Sequence, residues 1–401
     1  MPTVVFYLLI IFAIFIALFV SSIVLIIIKK TKKIGFYTLL FTIIITPIAV
    51  LLVFMPRSYT PTYLELSLPD STKTLRQKLD SAGLYFGSIA TVTDMKLPRF
   101  ANTFNSITPE NALKMSDLMK KDRIGEYDFS QADSIVNTAL SLGYRVRGHV
   151  LVWGHLSDKY KLPDLDEYLN KFPTNERKEI LTKLMYKHID TVLHHFRGKI
   201  KIWDVVNEPF DYSNNGNYFQ SVYYRYLGEE YIYMAFKRAY AKDSTIKLYL
   251  NEQLGDYTGK NAQNLIILVK KMKEQGVPIH GVGIQSHILF HIPPIEELKA
   301  YITQITELGL EVEITELDAR LRLFGTYKDP YMAQAQYYNE IIDICRNNPL
   351  CTGITFWGYT DKHCWIDRDM KYICPKPNEP YLFDAHLRPK PLYYILHKKL
   401  P

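Results

Sequence analysis

Lys201-Ile-Trp-Asp-Val-Val-Asn-Glu-Pro209 ends a strand in a carboxylate that packing alone does not explain. Ile202, Val205 and Val206 form a short apolar run with branched side chains, which reads as a buried strand. Pro209 has no N–H to give to a ladder, so the strand stops about there. Glu208 is thereby placed at a strand's C-terminal end, beside Asn207 and among apolar neighbours. A carboxylate there is costly unless it is paired or used. A surface glutamate in an ordinary loop is the plain alternative, and the rest of the chain decides against it.

Outward from this stretch, strand-like runs occur at 84–89, 104–107, 144–153, 200–206, 246–250, 281–285, 311–315 and 353–358. Helical patterns separate them, the clearest at 175–196, 218–240, 260–275, 295–308 and 330–346. Strand then helix, repeated about eight times, predicts an α/β fold of the closed parallel (β/α)8 TIM barrel type. A doubly wound open sheet is the rival, but no Gly-rich phosphate loop follows the first strand. Residues 73–401 form this globular part, large for one domain but ordinary for such a barrel.

Chemistry in a barrel of this kind belongs at the C-terminal strand ends. Those ends carry Glu110, Asn111 and Lys114 after strand 2, His149 and Trp153 on strand 3, and Asn207 and Glu208 on strand 4. Strand 6 supplies Gln285 and His287, strand 7 Glu316 and Asp318, and strand 8 Trp357, followed by Asp361 and Trp365. Alternation along a strand puts Gln285 with His287, and Glu316 with Asp318, on shared faces. A lone His or Trp is ordinarily core packing. Their convergence on one end of one barrel is not.

Two carboxylates on separate strands, with amides and aromatics around them, fit glycoside hydrolysis: one protonates the leaving oxygen, the other attacks or activates water. The acid needs a raised pKa and its partner a low one, hence two environments. Trp faces suit sugar rings, while Asn, Gln, His and Lys suit hydroxyls. Zinc held by His149, His287, Glu208 and Glu316 is the competing idea, but no HExxH-type spacing supports it. The expectation is no metal and no cofactor.

At these residues the sequence resembles glycoside hydrolase family 10, the endo-β-1,4-xylanases. The matching segments are Phe104-Asn-Ser-Ile-Thr-Pro-Glu-Asn-Ala-Leu-Lys114, Arg147-Gly-His-Val-Leu-Val-Trp153, Trp203-Asp-Val-Val-Asn-Glu208, Gly283-Ile-Gln-Ser-His287, Ile314-Thr-Glu-Leu-Asp318 and Gly353-Ile-Thr-Phe-Trp-Gly-Tyr-Thr-Asp361. Leu382-Phe-Asp384, followed by Lys390-Pro-Leu-Tyr393, looks like the family's ending. The resemblance implies Glu208 as general acid/base and Glu316 as nucleophile, with net retention and carboxyl groups about 5–5.5 Å apart. It implies that His287 hydrogen-bonds Glu316, that Asp318 steadies His287, and that Asn207 binds the 2-hydroxyl of the sugar being cleaved. Glu110, Asn111, Lys114, His149, Trp153, Gln285, Trp357 and Trp365 would line the glycone side. One departure stands out. After Trp153 the family usually continues His-Ser-Gln, whereas here Gly154-His155-Leu156 follows, so a Gln that helps hold the distal sugar is replaced by Leu156.

The N-terminal part is of another kind. Residues 4–28 and 34–54 are apolar runs free of charge, each at or above the ~20 residues that cross a ~30 Å hydrocarbon layer. A signal peptide is the alternative for the first, but it has no basic n-region and no small-residue cleavage site. A buried core helix is the alternative for the second. Pro47 is tolerable in lipid. Lys29-Lys-Thr-Lys-Lys33 between them places the loop in the cytoplasm. Residues 1–55 are therefore expected to be a transmembrane helical hairpin and membrane anchor, and 56–72, with Pro61 and Pro69, the linker to an extracytoplasmic domain. Much of the formal net charge of +7 comes from that loop. With no basic stripe interleaved with aromatics, nucleic acid is not an expected partner.

All four cysteines fall in the exported domain, at Cys345, Cys351, Cys364 and Cys374. An even number outside the cytoplasm suggests disulfides. Cys345 and Cys351 flank the approach to strand 8, where some members of the family carry a bridge, and Cys364 with Cys374 would close the loop after it. Buried thiols are the alternative. The expected partner is thus a polysaccharide, xylan or a related β-1,4-glycan. A non-catalytic glycan receptor built on the barrel, and a hydrolase of the cell's own envelope glycan, are the other readings; a receptor has no need of both Glu208 and Glu316.

Overall fold

Nine strands, all paired in parallel, run in the order β6-β5-β4-β3-β2-β1-β9-β8-β7, and an added β6–β8 pairing closes the ring. They are β1 (Tyr85–Ile89), β2 (Ser106–Thr108), β3 (Arg145–Trp153), β4 (Ile202–Asn207), β5 (Lys247–Glu252), β6 (Gly281–Ile284), β7 (His287–Ile288), β8 (Glu311–Ala319) and β9 (Cys351–Phe356). The two-residue β7 continues the line of β6 and pairs only with β8, so the barrel proper has eight staves. This computed structural model describes residues 58–67, 72–120, 123–154, 165–212 and 216–401. The two apolar runs expected to form the membrane hairpin lie outside the described residues, as do His155 and Leu156. No helix among the described residues is long and apolar enough to cross a membrane.

The chain divides into two compact units, Pro61–Cys364 with Glu379–Pro401, which holds the barrel, and Met1–Thr60 with Trp365–Asn378. In the second, Trp365–Asp369 is a short helix, and Asn378 donates to Asp367 over 2.6 Å and to the Cys374 carbonyl over 3.1 Å.

Each barrel element follows from its sequence. All six residues of β4 are buried, as expected of a parallel stave covered on both faces. The helix Thr174–His195 buries Leu181, Leu184, Met185, His188, Ile189, Val192 and Leu193, a stripe at helical spacing that lies on the barrel wall. Pro330–Arg346 starts with Pro at its first position and is capped by Asp329, which accepts from Met332 N–H over 3.0 Å. The single helix expected over 218–240 is two helices, Val222–Leu227 and Glu230–Lys242. Gly228, at φ 65°, turns the chain between them, a conformation that costs other residues more. Gly148 answers a different need, since a Cβ there would meet the Trp203 ring at 2.3 Å.

Within the stretch read as linker, Thr62–Glu65 forms a 3-10 turn. Tyr63 is buried, stacks edge-on against Tyr331 with ring centroids 5.0 Å apart, and reaches Asp384 with its hydroxyl at 3.3 Å.

The cysteines split. Cys345 and Cys351 are joined in a disulfide, with Cα atoms 4.9 Å apart, holding the turn into β9. The second expected pair would join residues of the two units, Cys364 of one and Cys374 of the other. Cys364 is buried next to the hydroxyls of Tyr338 and Tyr381, with which it interacts electrostatically, and Cys374 is buried in its own unit.

Candidate active site

Glu316 lies near the end of β8, 4% exposed, and is held from two sides. Asn251, from the end of β5, donates its amide to Glu316 Oε1 over 2.8 Å, and His287 Nε2 meets Oε2 at 3.1 Å. The same His287 gives its Nδ1 to Asp318 Oδ2 at 2.9 Å. Burial opposes a charge on His287, but Asp318 and Glu316 outweigh it and raise its pKa to about 10. The ring is therefore an imidazolium that donates from both nitrogens. Glu316 and Asp318 share a face as strand alternation expects. For Gln285 and His287 that reasoning fails, because the chain breaks at Ser286, φ 59°, and His287 belongs to the separate β7. Both side chains still reach the site, by that break.

Glu208 follows β4 with φ 51°, a left-handed backbone unusual for a glutamate, and its N–H donates to Asn251 C=O over 2.9 Å. Trp153, at the end of β3, donates its indole N–H to Glu208 Oε2 over 2.8 Å; Gln285 donates to Oε1 over 2.8 Å. Gln285 also reaches Asn207 Oδ1 at 3.1 Å, to which Asn251 donates over 2.8 Å. A continuous path of hydrogen bonds thus runs Glu208, Gln285, Asn207, Asn251, Glu316. The two carboxylates face one mouth through one amide relay.

Of the remaining predicted residues, His149, Trp357, Lys114, Asn111 and Glu110 ring that mouth. His149 gives Nδ1 to Asp204 at 2.9 Å and packs edge-on against Trp357, which also meets His287 edge-on. Lys114 donates to Asn111 over 2.9 Å and sits over the Trp153 ring at 4.6 Å. Burial lowers the Lys114 pKa, opposed by the charges of Glu316, Glu208 and Glu110. Glu110 is half-buried in the loop after β2. Trp365 opens the helix of the smaller unit. Among the described residues no group of His, Cys, Asp and Glu has the makings of a metal site.

The sequence profile of glycosyl hydrolase family 10 matches residues 74–399. The chain belongs to that family. It is similar to endo-1,4-beta-xylanase B of Thermotoga neapolitana, 34% identical over 297 residues, which span 74% of this chain and 80% of that protein. It is 33% identical to exoglucanase XynX of Acetivibrio thermocellus over 76% of this chain, although it spans only 27% of that longer protein. Among solved structures it resembles xylanase 10B of Thermotoga petrophila in complex with xylobiose, with 32% identity and a TM-score of 0.71 over 82% of this chain and 99% of that one.

Two parts of this mouth escape the strand-end reading. Asn251, which ties Asn207 to Glu316, sits in Leu250-Asn251-Glu252 at the end of β5, a signal of the same kind as Asn207-Glu208. Deeper lies an ion network. Arg147, wholly buried, holds Asp204 and reaches Glu313 over 2.8 Å, while Arg145 grips Glu313 over 2.7 and 2.9 Å. Burial works against a charged Glu313, yet the two arginines hold its pKa down at about 2. Irregular pairing of β8 with β9 between Ile314 and Leu317 lets both Glu313 and Glu316 face partners across the barrel interior.

Proposed function

We propose that this chain is a retaining endo-1,4-β-xylanase with Glu208 as acid/base and Glu316 as nucleophile. The observation that carries the reading is the opposite dressing of the two carboxylates. Glu316 receives an imidazolium and an amide, which favour the anion that attacks the anomeric carbon. Glu208 receives two neutral N–H donors, from Trp153 and Gln285.

In the first step Glu316 displaces the leaving sugar from the anomeric carbon while Glu208 gives its proton to the glycosidic oxygen. In the second, Glu208, now a carboxylate, takes a proton from water, which attacks the covalent intermediate and returns Glu316. Asn207, held by Asn251 and Gln285, is set to meet the 2-hydroxyl. His149, Lys114 and Asn111 supply further polar contacts, and Trp357 and Trp153 supply ring faces. The names of the relatives and the bound xylobiose of the Thermotoga petrophila enzyme support xylan as substrate. A different β-1,4-glycan is the second reading, favoured by Leu156 at the position of a distal-sugar Gln.

The localisation belongs to the same proposal: two membrane-spanning helices in 1–55 tether the barrel to the outer side of the membrane. The apolar runs around the lysine loop support it, and so does the Cys345–Cys351 disulfide, a feature of oxidising compartments.

Glu208→Ala with an activated aryl β-xylobioside and azide tests the roles directly. Azide attacks without base help, so the account expects recovered turnover and a β-glycosyl azide. An α-azide, or no recovery, contradicts it.

A further inference from the structure

Behind the acid/base lies a second glutamate that the two catalytic steps do not use. Glu252 closes β5 and is 1% exposed. No ion pair with it occurs among the described residues; its carboxyl oxygens instead accept backbone N–H groups. Oε2 takes that of Phe210 over 3.2 Å and Oε1 that of Gln253 over 2.8 Å. Its own carbonyl accepts the backbone N–H of Gln285 over 3.0 Å.

These contacts touch both halves of the machinery. Phe210 is two residues beyond Glu208, across Pro209, which has no N–H of its own to fix the turn. With Glu208 N–H bound to Asn251 and Phe210 N–H bound to Glu252, the left-handed Glu208 is pinned to β5 on both sides. Gln253, aligned by Glu252, clamps His287: its amide donates to His287 C=O over 3.0 Å and its oxygen accepts His287 N–H at 3.4 Å.

We propose that Glu252 is a positioning residue for the acid/base, fixing the Pro209–Phe210 turn that aims Glu208 and, through Gln253, the His287 that serves Glu316. Burial, and then the charge of Glu208, push its pKa well above the usual carboxylate range against the pull of the two N–H groups. An Asn or Ser would reach one of the two N–H groups; the length of Glu reaches both.

The inference rests on Glu208 as acid/base, and the test separates the two claims. For the full chain, kcat/KM is measured on aryl β-xylobiosides with a poor leaving group, which needs the acid, and with dinitrophenolate, which does not. Glu252→Leu is expected to lose roughly 10- to 100-fold on the poor leaving group, part of the 10²–10⁴ that a general acid contributes, while staying within about threefold on the good one. Glu252→Gln keeps an acceptor oxygen for Phe210 and is expected to restore most of the loss. If the apolar variant does not fold, Glu252→Asp, one methylene shorter, should show the same split in weaker form. Equal losses on both substrates, or no loss on either, overturn the proposal. Glu208→Ala is run alongside: a split there without one at Glu252 overturns this inference alone, and no split at Glu208 overturns the catalytic reading.

Discussion

Asn251 and Glu316 are joined by a 2.8 Å hydrogen bond from the amide of one strand end to the carboxylate of another, and the same nitrogen reaches Asn207 at 2.8 Å. Its oxygen is in turn fixed by Thr315 over 2.6 Å, so the amide has one orientation. The proposed nucleophile, Glu316, and Asn207 are thereby placed by one side chain. A hydrogen bond to a charged group contributes about 1.5–3 kcal/mol. Asn251→Ala should then lower kcat/KM on xylo-oligosaccharides by roughly 10- to 100-fold with the fold retained. Steady-state kinetics beside a thermal melt check this. Unchanged kinetics would remove Asn251 from the site.

The imidazolium of His287 makes stability depend on pH. Its pKa is raised from 6.5 to about 10, by Asp318 and Glu316 against the cost of burial. Between those values the folded state binds the extra proton, so the stabilisation is complete below pH 6.5 and is lost as pH rises through about 10. Urea unfolding of wild type and His287→Gln from about pH 6 to about pH 9 should show their gap shrinking, by at most about 1.4 kcal/mol per pH unit. A constant gap would mean a neutral ring.

His188 behaves in the opposite sense. Buried in the helix Thr174–His195, with neither ring nitrogen hydrogen-bonded among the described residues, it has its pKa pushed down to about 3 by burial. The unfolded chain binds the proton first as pH falls below 6.5, so stability drops from there toward pH 3. His188→Leu should lose less stability than wild type over that range, as acid unfolding followed by circular dichroism will show. Parallel acid transitions would contradict it.

Arg147 neutralises Asp204 and Glu313 in the barrel interior. Arg147→Met leaves those carboxylates short of their buried cation, a loss that typically costs about 3–5 kcal/mol. A large drop in melting temperature is expected, with a smaller one for exposed pairs such as Lys183–Glu179. Equal effects would mean the interior network contributes nothing special.

The disulfide pattern is checked by mass. Alkylation of the denatured, unreduced protein should leave Cys345 and Cys351 unlabelled. Removing the bridge across a six-residue separation should cost about 2 kcal/mol and leave kcat unchanged. Labelling of Cys345 or Cys351 before reduction would contradict it.

Much of this was legible from the chain. The strand starts and ends lie within a few residues of the apolar runs, because staves buried on both faces are marked by branched and aromatic residues. Glu208 and Glu316 stood out as carboxylates at strand ends without apolar justification. What sequence could not carry is non-local. The role of Asn251 depends on which strand lies beside β4. The placing of Glu313 depends on irregular pairing between β8 and β9, and that of His287 on the break at Ser286.

The most direct test is hydrolysis of xylan by the full chain beside Glu316→Ala, with release of reducing ends and binding of xylo-oligosaccharides both measured. The account predicts cleavage by wild type, and loss of cleavage with retained binding in the variant. Cleavage by Glu316→Ala, or binding without cleavage by wild type, would contradict it.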